Sequence, residues 1–162
     1  AVSELQGFAG TVLVLYGDTP LVRAETMRNA AAACADGAAV SVLGFQPSHF
    51  HQYGRLITDA SGALTAIVEA RDASPEELDV NLCNSGVMAF DGRHLLGLLD
   101  QLDTDNSKGE YYLTDTVRLA CAAGHSAAVV EGDTARFHLH GDRLNYISPL
   151  LTHLVDDALW TR

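Results

Sequence analysis

Hydrophobic and polar positions divide the chain into two kinds of segment. Short apolar runs rich in β-branched residues predict buried strands at 12–16, 38–45, 84–90 and 127–131. Longer segments without internal proline predict helices at 23–36, 94–102 and 112–123, the first and last followed by glycine. Further elements are predicted as strands at 55–58 and 64–70 joined by a hairpin turn, a helix start capped by Ser74, a strand at 135–140 and a helix from Ser148. This order predicts a single α/β domain over 1–162.

The first strand, 12–16, ends at the turn Gly17-Asp18-Thr19-Pro20. Its unbroken apolar run predicts a strand covered on both faces, in the middle of a parallel sheet. Ligands of open α/β sheets lie beyond the carboxyl ends of the strands, where an aspartate after a glycine can hold a cation or a substrate hydroxyl. The alternative is an ordinary turn, because aspartate is a common turn residue.

Other polar residues stand at predicted strand ends and in loops. They are Tyr53-Gly54, Glu69, Asn84, Glu110, Tyr112 and Thr114. Each has a structural alternative: Glu69 fits a solvent-facing position on a hairpin, and Asn84 fits a strand entry where the side chain bonds its own backbone. Together, these residues would line one rim of the sheet.

Two histidine pairs, His49/His51 and His138/His140, would each share a face of an extended segment. A zinc site needs further ligands that neither pair supplies locally, so surface histidines are the favoured interpretation. Phosphate-binding P-loops, dinucleotide-binding glycine motifs and nucleophile elbows are absent from the sequence.

The net charge of −11, with Lys108 as the only lysine, argues against a nucleic-acid partner, which requires a basic face. No apolar run approaches the ~20 residues of a membrane span, and no signal peptide is recognisable. The three widely spaced cysteines, Cys34, Cys83 and Cys121, predict reduced and mostly buried thiols in a cytoplasmic protein.

Several stretches carry distinctive motifs. They are Leu15-Tyr16-Gly17-Asp18-Thr19-Pro20-Leu21, Tyr53-Gly54-Arg55, Ile67-Val68-Glu69 with Asp72-Ala73-Ser74-Pro75-Glu76-Glu77, Cys83-Asn84-Ser85-Gly86-Val87, and Asp105-Asn106 with Lys108-Gly109-Glu110-Tyr111-Tyr112-Leu113-Thr114-Asp115. In order and spacing they closely resemble the N-terminal uridyltransferase domain of the bacterial bifunctional N-acetylglucosamine-1-phosphate uridyltransferase/glucosamine-1-phosphate acetyltransferase. The resemblance covers 10–132, and 133–162 diverges.

The resemblance implies a partial Rossmann-like nucleotidyltransferase fold with a mixed, mainly parallel sheet. It implies transfer of uridylyl from UTP to N-acetylglucosamine 1-phosphate, which gives pyrophosphate and the peptidoglycan precursor UDP-N-acetylglucosamine. By the same resemblance, Asp18 is the catalytic residue and holds magnesium, while Tyr16 and Gly17 flank the nucleotide and the sugar.

The remaining substrate-binding residues also follow from the resemblance. Gly54 would meet the sugar through its backbone, and Glu69 would accept sugar hydroxyls. Asn84 would hydrogen-bond the sugar, and Tyr112 and Thr114 would close the N-acetyl and phosphate side. A phosphoryl-type transfer needs positioning and charge neutralisation rather than a protein nucleophile, which suits these residue types.

The chain departs from the family pattern on the nucleotide side. The family's Gly-rich loop, Leu-Ala-Ala-Gly-x-Gly-Thr-Arg-Met, and its uracil-recognising segments have no counterpart in the 162 residues, nor do the hexapeptide repeats. The family's second magnesium ligand is an asparagine in Gly-Val-Asn-x-Arg. Here the nearest counterpart, His140-Gly141-Asp142-Arg143, has Gly141 at that position, and Asn145 is out of register. These 162 residues alone are therefore expected to be weak or inactive, or to form a non-catalytic sugar-phosphate-binding or interaction protein.

One structural expectation follows for the strand that precedes Asp18. In the family, the strand carrying the Gly-rich loop lies beside it. Without that strand, 12–16 would present an open apolar edge, and such edges recruit partners. We expect a homodimer through this edge, or coverage by a swapped element from 133–162.

Overall fold

A computed structural model describes residues 2–16, 22–47 and 52–132. The helices are α1 (Val2–Leu5), α2 (Ala24–Ala35), α3 (Pro75–Leu78), α4 (Gly92–Leu99) and α5 (Asp115–Ala122). The strands are β1 (Thr11–Val14), β2 (Val40–Phe45), β3 (Arg55–Thr58), β4 (Leu64–Val68), β5 (Cys83–Asp91) and β6 (Ala127–Glu131). Every element predicted within the described ranges is present, and α1 is additional. The strand predicted at 135–140, the helix predicted from Ser148 and both histidine pairs lie outside the described residues.

The strands form one mixed sheet in the order β4-β3-β5-β2-β6, with β1 also paired to β5. The predicted α/β class and mixed sheet are confirmed, but the described pairings are mainly antiparallel rather than mainly parallel, because β5 runs against each of its three neighbours. Strands β1, β2, β3 and β6 run in one direction, whereas β5 and β4 run in the other. β5 pairs with β2 on one side and with β1 and β3 on the other, and all three pairings are antiparallel. The β2–β6 pairing is the one parallel pairing within the part of the chain that the structure describes.

The prediction that the first strand is covered on both faces in mid-sheet is wrong. β1 pairs antiparallel with β5 along one side, and no other described strand lies along its second side. Val12 and Val14 pack against the main core, but Leu13 is 37% exposed and Leu15 is 47% exposed. An apolar run indicates that residues of the strand are buried. It does not determine which strands pair with it on each side, because those partners come from distant parts of the chain.

The core occupies both faces of the sheet. On one face, Met88 and Phe90 of β5 pack with Leu95 of α4 and Val117 of α5. On the other face, Ala89 packs against α2. Successive residues of β5 alternate between the two faces, which gives a helix–sheet–helix arrangement.

Local signals in the sequence account for the boundaries that flank the site. The Ser74 hydroxyl accepts from the Glu77 backbone N–H, and the Glu77 carboxylate accepts from the Ser74 N–H, so the predicted capping box starts α3. In the β3–β4 turn, Asp59 accepts from the backbone N–H groups of Ser61 and Ala63. Cys34, Cys83 and Cys121 form no disulfide, and burial raises the pKa of Cys34 to about 11. No helix among the described residues is long and apolar enough to cross a bilayer.

Candidate substrate-binding site

A cavity of about 300 Å³ opens where β1 ends and β3 begins beside β5. It is lined by Tyr16, Gln52, Tyr53, Gly54, Glu69, Asn84, Ser85, Gly86 and Thr114. Five of the residues predicted for the site from sequence, Tyr16, Gly54, Glu69, Asn84 and Thr114, therefore lie in one cavity. They come from four strand ends and the start of α5, so the fold assembles them from distant parts of the chain.

The cavity lies at an irregular point of β5. The four steps from Asn84 to Met88 face only two steps of β2, from Gly44 to Val42, so β5 carries two extra residues there. On its other side, β5 pairs with β1 as far as Met88 and with β3 at Cys83. Bulges of this kind commonly occur beside functional sites, where they redirect side chains.

Glu69 is the carboxylate of this cavity. Its Oε1 accepts a hydrogen bond from the Thr114 hydroxyl at 3.3 Å. Thr114 stands at the N-terminal cap position of α5, but its side chain makes no capping bond to the helix. The hydroxyl is thus directed to the cavity side, and it fixes one carboxylate oxygen while the second remains an acceptor.

Gly54 allows the backbone to approach Glu69 closely. A Cβ at this position would lie 3.4 Å from each Glu69 carboxylate oxygen and 3.3 Å from Ile67 Cγ2. The Gly54 carbonyl also accepts from the Asn84 backbone N–H at 2.8 Å. The glycine therefore ties the entry of β3 to β5 and leaves the carboxylate accessible.

The side chain of Asn84 bonds within β5. Its Oδ1 accepts from the Gly86 backbone N–H at 2.9 Å. This bond agrees with the local structural interpretation of Asn84, and the same side chain also lines the cavity. The two interpretations are compatible, because the amide retains its Nδ2 donors.

Tyr112, also predicted for the site, does not line the 300 Å³ cavity. With Glu69 it lines two adjoining cavities of about 610 and 490 Å³. The larger one also contains Arg71, Lys108 and Glu110. Glu69 lines all three cavities and therefore stands at their junction.

Of the residues predicted from sequence, Gly17 and Asp18 lie outside the described residues, so the predicted magnesium ligand stays a prediction. Within the described ranges, no group of three or more His, Cys, Asp or Glu residues could hold a metal ion. Asp115 lines the 490 Å³ cavity. Burial raises the pKa of its carboxyl group, and Asp103 and Asp72 raise it further, whereas Arg118 lowers it.

Tyr53, named from sequence among the rim residues, also lines the cavity, and three lining residues were not predicted: Gln52, Ser85 and Gly86. A glycine inside a strand-like run is a signal for a bulge or a close approach, and this signal could have found Gly86. Tyr53 packs edge-on against Phe45, with ring centroids 5.0 Å apart. Gln52 carries no signal in the sequence, because its place depends on the loop before β3.

Arg55 anchors the loop before β3, which contributes residues to the cavity. It is 1% exposed, and its guanidinium donates to the carbonyl of Tyr53 and, at 3.4 and 3.5 Å, to the carbonyl of Leu78. These bonds join the loop before β3 to the end of α3. A buried arginine needs such acceptors, since burying a charge without hydrogen bonds is costly.

The mixed α/β sheet agrees with a partial Rossmann-like nucleotidyltransferase fold. Over 134 residues the chain is 57% identical to the bifunctional protein GlmU of Rhodospirillum rubrum, covering 82% of this chain and 30% of that protein. It is 51% identical over 133 residues to GlmU of Azorhizobium caulinodans and 52% identical over 137 residues to GlmU of Paramagnetospirillum magneticum, with 82% and 83% of this chain and 30% of each relative covered.

The chain is therefore similar to the GlmU proteins over 82–83% of its length, and the resemblance drawn from its motifs is confirmed. It spans about 30% of the length of the curated relatives it matches. No family model matches the chain.

Proposed function

We propose that the cavity between β1, β3 and β5 recognises N-acetylglucosamine 1-phosphate, and that the domain derives from one that transfers uridylyl from UTP to this sugar phosphate. The observation that carries the proposal is the convergence of Gly54, Glu69, Asn84 and Thr114 on one cavity in a relative of GlmU. Its polar groups are of the kinds that recognise a polyhydroxylated ring.

The sugar-binding chemistry divides between an acceptor and a donor. Glu69 offers a carboxylate oxygen to sugar hydroxyls, and Asn84 offers its Nδ2 donors to sugar oxygens. Gly54 keeps the approach to Glu69 clear of side-chain atoms. We assign Tyr112, beside Glu69, and the Thr114 hydroxyl to the N-acetyl and phosphate side. A carboxylate that must be bonded discriminates strongly against ligands that lack the matching hydroxyl.

The phosphate chemistry depends on a cation. We assign the magnesium ion to Asp18, because a carboxylate oxygen is the ligand type that magnesium prefers. Bound there, magnesium would neutralise phosphate charge, while Tyr16 and Gly17 would flank the nucleotide and the sugar. The chain has a single lysine and a net charge of −11, so its own side chains offer little neutralisation for a triphosphate.

We propose that the 162 residues alone make UDP-N-acetylglucosamine weakly or not at all. The test is a pyrophosphate-release assay with UTP, magnesium and N-acetylglucosamine 1-phosphate, with GlmU of Rhodospirillum rubrum as the active control. The chain is expected to turn over far more slowly than the control. Turnover at the control's rate would contradict the impairment, and an Asp18→Asn variant would then show whether that activity depends on the assigned carboxylate.

A second candidate is a non-catalytic sugar-phosphate-binding protein. The observation that favours it is that the residues proposed to bind the sugar line one cavity, in a chain whose 162 residues contain no phosphate-binding Gly-rich motif. Separate calorimetric titrations with UTP and with the sugar phosphate distinguish the two candidates. Binding of the sugar phosphate without UTP favours this second function, and binding of both favours the impaired enzyme.

We further propose that the chain forms a homodimer through the free side of β1. Support comes from two exposed apolar residues: Leu13 lies on β1, which is paired along one side among the described strands, and Leu15 follows directly after it. Light scattering should report a dimer for the wild type and a monomer for Leu13→Lys. Tyr111→Lys is the matched control, because Tyr111 is 71% exposed and distant in sequence from β1. A monomeric wild type would contradict the proposal.

We assign the reaction to the cytoplasm, whose reducing conditions suit three free thiols.

A further inference from the structure

Gly86 contacts two residues of the cavity at once. Its backbone N–H donates to Asn84 Oδ1 at 2.9 Å, and a Cβ built on it would lie 2.6 Å from Tyr16 Cε2. Its φ is +85°. We propose that Gly86 is a positioning residue, which orients the Asn84 amide and seats the Tyr16 ring at the cavity. This inference rests on the proposed function for its role in ligand binding.

The bond to Asn84 determines which atoms the amide offers. A backbone N–H can only donate, so the Asn84 atom that it meets must be the carbonyl oxygen Oδ1. The amide is therefore held in one of its two orientations, with Nδ2 left to donate to a ligand. Since Glu69 can only accept when ionised, the cavity combines a donor and an acceptor. This combination selects ligands that carry a hydroxyl to donate and an oxygen to accept.

The missing side chain of Gly86 determines where Tyr16 can lie. Tyr16 is 51% exposed, so little of its position is set by burial in the core. Its ring lies against the bare Cα of Gly86, closer than a side chain on that residue would allow. Alanine at this position would push the ring away from β5 and would also strain the left-handed backbone.

Gly62 provides a matched control for the backbone strain. It has the same φ of +85° in the β3–β4 turn, but no atom lies within 4 Å of a Cβ built there. Gly62→Ala therefore carries a similar conformational cost without disturbing Tyr16 or Asn84. The difference between Gly86→Ala and Gly62→Ala isolates the contacts that the proposal invokes.

The experiment compares binding of N-acetylglucosamine 1-phosphate by calorimetry, well below the unfolding temperature of each variant. Gly86→Ala should weaken binding roughly three- to tenfold, the range expected when one neutral hydrogen bond to the ligand is misaligned. Gly62→Ala should bind as the wild type does. Binding by Gly86→Ala within twofold of the wild type would overturn the proposal.

Asn84→Asp covers the case in which Gly86→Ala does not fold. Aspartate keeps an acceptor for the Gly86 N–H but replaces the Nδ2 donor with a second acceptor. We expect its unfolding temperature to match that of the wild type and its affinity for the sugar phosphate to fall at least about tenfold. An unchanged affinity would overturn the assignment of Nδ2.

A stability cycle separates failure of this inference from failure of the proposed function. Tyr16→Ala should relieve part of the destabilisation caused by Gly86→Ala and none of that caused by Gly62→Ala. If the wild type binds no sugar phosphate, the proposed function fails, and the cycle alone decides the positioning role. Coupling between Gly86 and Tyr16 supports the role, and strict additivity overturns it.

Discussion

Replacing Glu69 with glutamine tests the sugar site with little change in side-chain volume. In the wild type, Glu69 Oε1 is engaged by the Thr114 hydroxyl at 3.3 Å, which leaves Oε2 for a ligand hydroxyl. In Glu69→Gln, one of the two terminal atoms becomes an NH₂ donor, which can donate to the Thr114 hydroxyl, and the remaining oxygen is an uncharged acceptor. The variant therefore offers the ligand a neutral acceptor in place of a charge-assisted one.

The magnitude follows from the strength of such a bond. Hydrogen bonds to charged groups contribute about 1.5–3 kcal/mol, and each 1.4 kcal/mol corresponds to about tenfold in affinity. The Kd for N-acetylglucosamine 1-phosphate should thus rise roughly 10- to 100-fold in a calorimetric titration. Glu76→Gln, on the exposed face of α3, is the control and should leave the Kd unchanged. Binding by Glu69→Gln within twofold of the wild type would refute the assignment of Glu69.

Three further changes test the scaffold by urea or thermal unfolding. Hydrogen bonds from Arg93 lower the pKa of Asp91 to about 2, so the ionised carboxylate stabilises the fold above about pH 4. Asp91→Asn should cost about 1 kcal/mol at pH 7 after solvent screening, and the difference should shrink below about pH 4 and vanish as the pH falls through and below about 2; equal differences at pH 7 and below pH 2 would contradict this. A Cβ at Gly44 would lie 2.9 Å from methyl carbons of β3 and β6. Gly44→Ala should therefore lower the free energy of unfolding by about 1–3 kcal/mol. An unchanged free energy of unfolding would show that the neighbouring side chains move aside without cost. Ser74→Ala removes the hydroxyl that accepts from the Glu77 N–H and caps α3, and should cost about 1 kcal/mol, a drop of roughly 3–5 °C in Tm; an unchanged Tm would mean that α3 contributes nothing to global stability.

Elements with local causes could be predicted from the sequence. The capping box of Ser74 and Glu77 satisfies backbone groups within one turn, so four adjacent residues determine where α3 begins. The hairpin turn at Asp59 is equally local, because its carboxylate bonds the N–H groups of the next few residues. The helices ending before Gly37 and Gly124 follow from the left-handed backbone that glycine allows, with φ of +114° and +80°.

The placement of β1 could not be predicted in the same way. Its neighbour is β5, from the opposite half of the described chain, and the register pairs Val12 with Phe90 and Val14 with Met88. Nothing within the run 12–16 specifies that partner or its direction. The pattern of apolar residues therefore predicted a strand correctly, but it predicted mid-sheet packing for a strand whose second side has no neighbour among the described strands.

The candidate site shows the same division. Motif resemblance predicted the residues that share the cavity, since Gly54, Glu69, Asn84 and Thr114 all line it. It did not predict that Thr114 would bond Glu69, because that contact joins β4 to α5 across 45 residues. Nor did it predict the two extra residues of β5, which depend on the register between two strands.

A crystal structure of the chain with N-acetylglucosamine 1-phosphate tests the central claim most directly. The account predicts a sugar ring in the cavity between β1, β3 and β5, with one hydroxyl donating to Glu69 and one oxygen accepting from Asn84 Nδ2. A sugar bound elsewhere, or an empty cavity at saturating ligand concentration, would contradict it.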